Sequence, residues 1–342
     1  MNMSMLGIID ATAHSLDIDD LIQNRSMAAI PFGGRYRLID FVLSNMVNSG
    51  VDSVAIFPKY QYRSLMDHLG SGKEWDLNRK RDGLFFFPSP HLHDEYDEFG
   101  SFRQFKDHYD YFNRSRQEYT VIANSHTVCN IDFCKVLKHH IEMGCDVTEI
   151  CKDGASLQMY VLKTSLLKDL ISSYDERGFK TLNQVVNEGR SQLNICEYAF
   201  KGYVAAIDTI QSYFRYSLDL LKPEVWKELF PKSSPVYTKV KDEPPTKYLK
   251  SSYVRNSMIA NGCVIEGHVE NSILFRAVHV GKDTVIKNGI VMQKSSVGEN
   301  CVLENVILDK DVRVGSHEVL KGTMEHPIVL RKGSVQGVLI KS

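Results

Sequence analysis

Two arginines, Arg35 and Arg37, stand where a helix is expected to begin, and their chemistry suits phosphate. They follow a turn at Pro31–Gly34, whose two glycines permit backbone angles that other residues avoid. The free N–H groups of a helix N-terminus attract anions, and guanidinium groups add charge-assisted hydrogen bonds. The pattern therefore predicts a site suited to a phosphate group.

The elements that would position these arginines form a βαβ-type unit. A short apolar entry at 28–30 precedes the turn, Gly50 would end the helix, and residues 51–57 read as a buried strand. The residues that recur at helical spacing after the arginines are Leu38, Phe41, Val42, Asn45 and Met46.

The stretch from Arg25 to Phe57 resembles the signature of bacterial glucose-1-phosphate adenylyltransferases, Arg-Ala-Lys-Pro-Ala-Val-x-Phe-Gly-Gly-x-x-Arg-x-Ile-Asp-Phe-x-Leu-Ser-Asn. The match is long and ungapped, but Met27 replaces the signature lysine and Ala28 its proline. The resemblance implies a Rossmann-like α/β nucleotidyltransferase domain and a reaction that joins ATP and glucose-1-phosphate into ADP-glucose and pyrophosphate.

The residues that would carry this reaction are replaced. The family's glycine-rich triphosphate loop corresponds to residues 10–17. This segment contains no glycine or arginine, begins with Asp10 and ends with Asp17. The aspartate expected to hold Mg²⁺ corresponds to Ser125, the second metal aspartate to Gln184, and the aspartate of a further motif to Ala206. Magnesium prefers carboxylate oxygens. We therefore expect no catalytic residues, no metal site and no cofactor requirement in this chain.

Alternatives remain at three places in the sequence. Asp10 and Asp17 could hold a metal in a rebuilt site, which would make the chain an active sugar-1-phosphate nucleotidyltransferase. The cluster at 91–95, which contains His91 and His93, is more typical of a polar loop than of a metal site. The family's sugar-phosphate loop has no counterpart near 153–155, where a genuine absence and residues missing from the sequence are both possible.

The C-terminal part of the chain repeats. Val280-Gly281, Val297-Gly298 and Val314-Gly315 begin similar segments about 17 residues apart, which is one coil of a three-sided helix of hexapeptides. We predict a nucleotidyltransferase-like domain at 1–231, a Pro-rich linker at 232–250 and a left-handed parallel β-helix at 251–342. Acyltransferases also use this β-helix, and the histidines that could serve one are His268, His279 and His317.

Composition excludes several classes of partner. The chain has 342 residues, 43% apolar content and a net charge of −1, so no overall field draws it to nucleic acid or membrane. No signal peptide or membrane span is evident. Seven cysteines without Cys-x-x-Cys pairs indicate reduced thiols and a cytoplasmic protein.

The family resemblance also implies a regulatory role. In catalytic relatives, arginines at the positions of Arg25 and Arg37 lie near an anionic effector site between the domains. We expect the same here, although these arginines could equally form salt bridges with Asp40 and its neighbours. The expected function is that of a regulatory, catalytically impaired subunit. It would bind a catalytic glucose-1-phosphate adenylyltransferase subunit, which uses Mg²⁺, in a hetero-oligomer such as a tetramer.

Overall fold

A computed structural model describes residues 4–89 and 99–337 in two domains. The strands of the first domain are β1 Met5–Ala11, β2 Pro31–Phe32, β3 Tyr36–Arg37, β4 Ser53–Pro58, β5 Gly83–Phe86, β6 Tyr119–Asn124, β7 Thr127–Cys129, β8 Val147–Lys152, β9 Ala155–Lys163, β10 Ile195–Ala199 and β11 Val204–Ala206. Its helices are α1 Asp19–Ile22, α2 Leu38–Asn48, α3 Arg63–Leu69, α4 Phe102–Lys106, α5 Tyr109–Arg114, α6 Phe133–Met143, α7 Thr164–Arg177, α8 Leu182–Glu188, α9 Ile210–Asp219 and α10 Pro223–Leu229.

A seven-stranded sheet forms the centre of this domain, in the order β10-β8-β9-β6-β1-β4-β5. Only β9 runs antiparallel to its neighbours in the sheet. Strands β1, β4 and β6 are buried along their whole length, as expected for strands covered by helices on both faces. Parallel pairing sets Asp10 opposite Asn124, so the ends of β1 and β6 meet at one edge of the sheet.

Helix α2 and strand β4 form as predicted after Arg35 and Arg37, but the strand that pairs in parallel with β4 is β1 and not the apolar entry at 28–30. Asp40, the third residue of α2, accepts a hydrogen bond from the N–H of Arg37, 3.0 Å away, and so caps the helix. The apolar entry at Met27–Ala29 is a 3-10 turn rather than a strand.

The segment that corresponds to the family's sugar-phosphate loop is a tight hairpin. β8 passes directly into β9 through the two-residue turn Asp153-Gly154, and Lys152 pairs with Ala155. Both turn residues have positive φ, 51° and 81°, which the primed hairpin turns require and which Asp-Gly favours. The hairpin is therefore closed as short as it can be.

The second domain is a left-handed parallel β-helix. Residues 230–246 between the domains contain no helix or strand. The β-helix strands are β12 Lys247–Tyr248, β13 Tyr253–Arg255, β14 Met258–Ile259, β15 Val264–Ile265, β16 His268–Glu270, β17 Ile273–Leu274, β18 His279–Val280, β19 Val285–Val291, β20 Ser296–Val297, β21 Val302–Leu308, β22 Arg313–Val314, β23 Val319–Lys321, β24 Ile328–Leu330 and β25 Val335–Gln336.

Successive coils stack in register and alternate their apolar residues between two cores. Leu274, Val291 and Leu308 point into the β-helix. Their neighbours Ile273, Ile290 and Ile307 point outward and are nonetheless completely buried. They belong to an apolar cluster that includes first-domain residues Met27, Ile30, Phe32 and Tyr213. One side of the β-helix is thus packed onto the first domain.

One prediction about the cysteines is wrong. Cys145, just before β8, and Cys196, in β10, form a disulfide with Cα atoms 6.0 Å apart. The sequence hides the pair because 51 residues separate its members, whereas β8 and β10 are adjacent parallel strands. The other five cysteines are free. No helix in the described part of the chain has the length and apolar character needed to span a bilayer.

Candidate functional site

The sheet edge where β1 and β6 end corresponds to the expected nucleotide site. A buried acidic side chain accepts the hydrogen bonds of the backbone N–H groups there. Asp10 is 2% exposed. Its Oδ1 accepts hydrogen bonds from the N–H and hydroxyl of Thr12, at 2.9 and 2.6 Å, and its Oδ2 accepts one from the N–H of Gly100 at 2.7 Å. Burial raises the pKa of Asp10, and the hydrogen bonds from Gly100 and Thr12 oppose that shift. The carboxyl group of Asp10 thus occupies the backbone N–H groups of Thr12 and Gly100 at this edge.

The neighbouring strand end is also internally satisfied. The side-chain oxygen of Asn124 accepts hydrogen bonds from the N–H groups of His126 and Thr127, at 3.0 and 2.8 Å. Its amide nitrogen donates to the carbonyl of Leu157 at 2.7 Å. Burial lowers the pKa of His126 to about 4, because nearby Asp208 offsets only part of the desolvation. Asn124 therefore stabilises the turn after β6, and its side-chain oxygen already accepts two hydrogen bonds.

The four residues at the family's catalytic positions lie in different surroundings. Met27 is buried in the apolar cluster between the domains. Ser125 is fully buried, and its hydroxyl has no hydrogen-bond partner among the described residues. Gln184 lies in the first turn of α8, where its Oε1 accepts a hydrogen bond from the N–H of Lys180 at 2.7 Å. Ala206 is exposed at the end of β11. None of the four can act as an acid, a base or a metal ligand of the carboxylate type.

A magnesium ion does not fit these side chains. The three metal-related positions are Ser125, Gln184 and Ala206, and they offer no carboxylate. Both oxygens of Asp10 already accept hydrogen bonds, and Asp17 is an exposed residue of the 3-10 turn Leu16–Ile18. Among residues 4–89 and 99–337, no group of three or more His, Cys, Asp or Glu is arranged to hold a metal. The cluster at 91–95 lies outside the described residues.

The histidines considered for an acyltransferase lie apart on the β-helix surface. His268, His279 and His317 are exposed on separate coils. The ring of His268 lies 5.7 Å from that of Tyr253.

A strongly basic cavity of about 190 Å³ lies between the two domains. The hairpin before α2, helix α3, the linker and three turns of the β-helix all contribute to it. Its basic residues are Arg35, Arg37, Lys239, Lys241, Arg276, Lys294 and Lys310, together with His68. Only two carboxylates, Glu243 and Asp311, are among its lining residues. Such an excess of positive charge attracts a compact anion such as a phosphate group.

The β-helix repeat explains how three of its turns reach the same cavity. Arg276, Gln293 and Lys310 occupy one corner of successive coils, 17 residues apart. Each is followed by a residue with positive φ, namely Ala277 at 57°, Lys294 at 62° and Asp311 at 58°. The left-handed turn therefore recurs at the same place in each coil and presents its side chains along one line.

Burial and mutual repulsion lower the pKa values of several of these cations. Burial lowers the pKa of Lys310 to about 7, and Arg37 and Arg25 add to that shift. Burial also lowers the pKa of Arg37 to about 10, with Asp40 opposing the shift. The pKa values of Lys241 and Arg276 are lowered in the same way, first by burial and then by a neighbouring arginine. A bound anion would relieve this repulsion.

The structure places the two predicted effector arginines differently. Arg37 lines the cavity, and its guanidinium donates to the carbonyl and hydroxyl of Ser64, at 2.6 and 2.9 Å. Arg25 is 2% exposed and does not line it. Its Nη2 lies 2.8 and 3.0 Å from the two carboxylate oxygens of Asp309, a β-helix residue 284 positions away. Asp40 is instead bound to His68, with 2.6 Å between Oδ1 and Nε2.

Sequence reasoning missed most of the cavity. Arg276 and Lys310 were not singled out, although they lie 34 residues apart, which is two periods of the hexapeptide repeat. A search for charged residues that recur with that period would have found them.

Comparisons with known proteins agree with this architecture. Residues 19–196 match the family described as nucleotidyl transferase, and residues 244–325 match the GlmU-like C-terminal hexapeptide family. The chain is therefore a nucleotidyltransferase-type protein with a hexapeptide β-helix. It is 62% identical over 341 residues to the glycogen biosynthesis protein GlgD of Bacillus subtilis (strain 168), covering 100% of this chain and 99% of the relative. It is equally similar, at 62%, to that of Geobacillus stearothermophilus, with 99% of each chain covered. The protein belongs to the GlgD family of glycogen biosynthesis proteins.

A more distant relationship links the chain to an enzyme. It is 29% identical over 309 residues to the glucose-1-phosphate adenylyltransferase of Bacillus subtilis (strain 168), covering 79% of this chain and 81% of the enzyme.

Proposed function

We propose that this chain is a regulatory subunit with little or no activity of its own, which acts with a catalytic glucose-1-phosphate adenylyltransferase in glycogen biosynthesis. The partner subunit would join ATP and glucose-1-phosphate into ADP-glucose and pyrophosphate, using Mg²⁺. The proposal draws on the full-length similarity to GlgD proteins and on the more distant similarity to adenylyltransferases. We place the complex in the cytoplasm as a hetero-oligomer such as a tetramer.

One observation carries the proposal: basic side chains that suit an anion line the cavity between the domains, whereas the nucleotide edge offers no free group of this kind among the described residues. At the edge, the carboxylate of Asp10 already occupies the N–H groups of Thr12 and Gly100. A triphosphate brought there would meet a buried acid and no magnesium ligands. Between the domains, residues such as Arg37 and Arg276 line a cavity with a large excess of positive charge.

A phosphorylated sugar bound in this cavity would act as an effector. Residues of both domains and of the linker line the cavity, so the ligand would contact all three. Binding would therefore stabilise one arrangement of the domains relative to others. The partner subunit would sense that arrangement through the interface. The role of Arg25 in this scheme is to connect the domains through Asp309, whereas Arg37 would contact the ligand.

The experiment is a comparison of mixed complexes. The chain is co-purified with a catalytic adenylyltransferase subunit, and ADP-glucose formation is measured against the concentration of a phosphorylated sugar. We expect the wild-type chain to confer activation, and the Arg37→Ala/Arg276→Ala variant to lose most of it. Arg313→Ala is the matched control, because Arg313 is an exposed β-helix arginine outside the cavity.

Two results would count against the proposal. Unchanged activation in the cavity variant would show that the effector binds elsewhere. Turnover by the isolated chain near the ~10 s⁻¹ of a typical enzyme would instead favour an active sugar-1-phosphate nucleotidyltransferase with a rebuilt metal site.

A further inference from the structure

Lys310 stands out in the basic cavity because it is half-buried among cations and forms no ion pair with an acid of the described residues. It lies in the turn between β21 and β22 and lines the cavity with Arg37 and Arg276. No carboxylate of the described residues lies within 4.0 Å of its Nζ atom, and no hydrogen bond from Nζ to those residues is formed. The amine thus has no direct ion-pair partner within the described structure.

Of the two acids that flank Lys310 in the sequence, Asp311 is exposed and Asp309 is already engaged. Asp309 binds Arg25 through both carboxylate oxygens and also accepts the backbone N–H of Lys310, 2.7 Å from its Oδ1. Burial and repulsion by Arg37 and Arg25 disfavour the ammonium form of Lys310, and attraction by Asp309 offsets only part of this effect. These surroundings lower the pKa of Lys310 to about 7. At neutral pH about half of such an amine is neutral, against about one part in 2,500 for an ordinary lysine.

A neutral amine is a nucleophile, and the cations around it select which electrophile arrives. Arg35, Arg37 and Arg276 favour an anionic group, and the volume of about 190 Å³ limits the ligand to a small molecule. An acyl phosphate combines a phosphate group with a reactive carbonyl carbon. Cations that hold its phosphate also stabilise the charge that develops on the leaving group.

We propose that Lys310 is an acylation site that accepts an acyl group from a small acyl phosphate bound in the interdomain cavity. Nζ attacks the carbonyl carbon, and the new N–C bond forms as the C–O bond to phosphate breaks. Inorganic phosphate leaves with the electron pair, and the amine loses one proton to the phosphate or to water. No oxidation or reduction takes place. The resulting amide is uncharged, so acylation removes a cation and occupies space in the cavity.

This inference rests on the anion site of the proposed function, and one set of measurements separates the two. The full chain is treated with acetyl phosphate at neutral pH, and acetylation of each lysine is followed by peptide mass spectrometry. Lys287, exposed on β19, serves as an internal control in the same molecule. We expect Lys310 to react at least about tenfold faster than Lys287, given its larger neutral fraction.

Two further comparisons test the role of the cavity. Added inorganic phosphate should slow acetylation at Lys310 and leave Lys287 unchanged, and Arg276→Ala should slow Lys310 several-fold. With N-acetoxysuccinimide, an uncharged acetyl donor, the effect of phosphate on Lys310 should be much smaller. The variant Lys310→Arg keeps the charge and should abolish the modification at this position. The comparison with Lys287 in the wild-type chain stands even where that variant fails to fold.

The outcomes are distinguishable. Equal rates at Lys310 and Lys287, or a fast rate at Lys310 that phosphate does not slow, would overturn the inference. Calorimetric titration with inorganic phosphate is measured separately on the untreated chain. Phosphate binding without preferential acetylation would refute acylation alone and leave the effector site standing. Neither binding nor acetylation would refute both.

Discussion

Removing the Arg25 side chain should strongly destabilise the contact between the domains. Arg25 and Asp309 are each 2% exposed, and one nitrogen of the guanidinium lies within 3.0 Å of both carboxylate oxygens. In Arg25→Met the carboxylate stays buried, with the N–H of Lys310 as its remaining described donor. Breaking a buried ion pair on one side costs about 3–5 kcal/mol, because an uncompensated charge remains. We expect a loss of that size in the free energy of unfolding.

The assay is urea unfolding, followed by the midpoint and slope of the transition. The double variant Arg25→Met/Asp309→Leu removes both charges and should be less destabilised than Arg25→Met alone, since no charge remains unpaired. A matched control exists in Arg331 and Asp20, which also join the two domains, at 2.6 Å, but are 56% and 37% exposed. Arg331→Met should cost less than about 1 kcal/mol.

The reasoning would be refuted by a loss below about 1 kcal/mol in Arg25→Met, the value typical of an exposed pair. The single variant Asp309→Leu is measured as well. The reasoning would also be refuted if the double variant lost as much free energy of unfolding as Arg25→Met and Asp309→Leu lose together. A further consequence follows for the mixed complex. Arg25→Met should reduce effector activation even though Arg25 does not line the cavity, because the two domains would no longer be held together at this point.

Three other predictions concern the rest of the molecule. Asp10→Ala should lower the free energy of unfolding by about 1–3 kcal/mol, because the buried N–H groups of Thr12 and Gly100 lose their acceptor; an unchanged urea midpoint would contradict this. Thiol titration of the denatured, unreduced chain should find five free thiols, and prior reduction should raise the number to seven; seven without reduction would rule out the Cys145–Cys196 bond. Because the folded pKa of His126 is about 4, the unfolded chain takes up its proton first as pH falls from about 6.5. The His126 contribution to stability should therefore be present above pH ~6.5 and lost towards pH 4, and His126→Gln should flatten that part of the profile; parallel profiles for the two proteins would contradict it.

The fold could be predicted where a period or a long motif was present. The 17-residue repeat indicated the coils of the β-helix, and in the structure Ile273, Ile290 and Ile307 lie in register on successive coils. The same period could not reveal that this line is buried against the first domain. That burial depends on Met27 and Tyr213, which the sequence separates by almost two hundred residues.

The candidate site was only partly predictable, for a similar reason. The sequence showed Asp10 in place of a glycine-rich loop, but its acceptor role towards Gly100 depends on a contact across 90 residues. Arg25 and Arg37 looked alike as cations beside a helix. The structure distinguishes their roles, because Asp309 binds Arg25 whereas Arg37 lines the cavity.

The central claim is that this chain has an incapacitated nucleotide edge even within its complex. The most direct test pairs it with a catalytic subunit whose own magnesium-binding aspartates have been replaced, so that any turnover must come from this chain. Pyrophosphate release is then measured with ATP, glucose-1-phosphate, Mg²⁺ and a saturating phosphorylated sugar. We predict a rate no higher than that of the buffer alone. Sustained release proportional to the concentration of this chain would contradict the account.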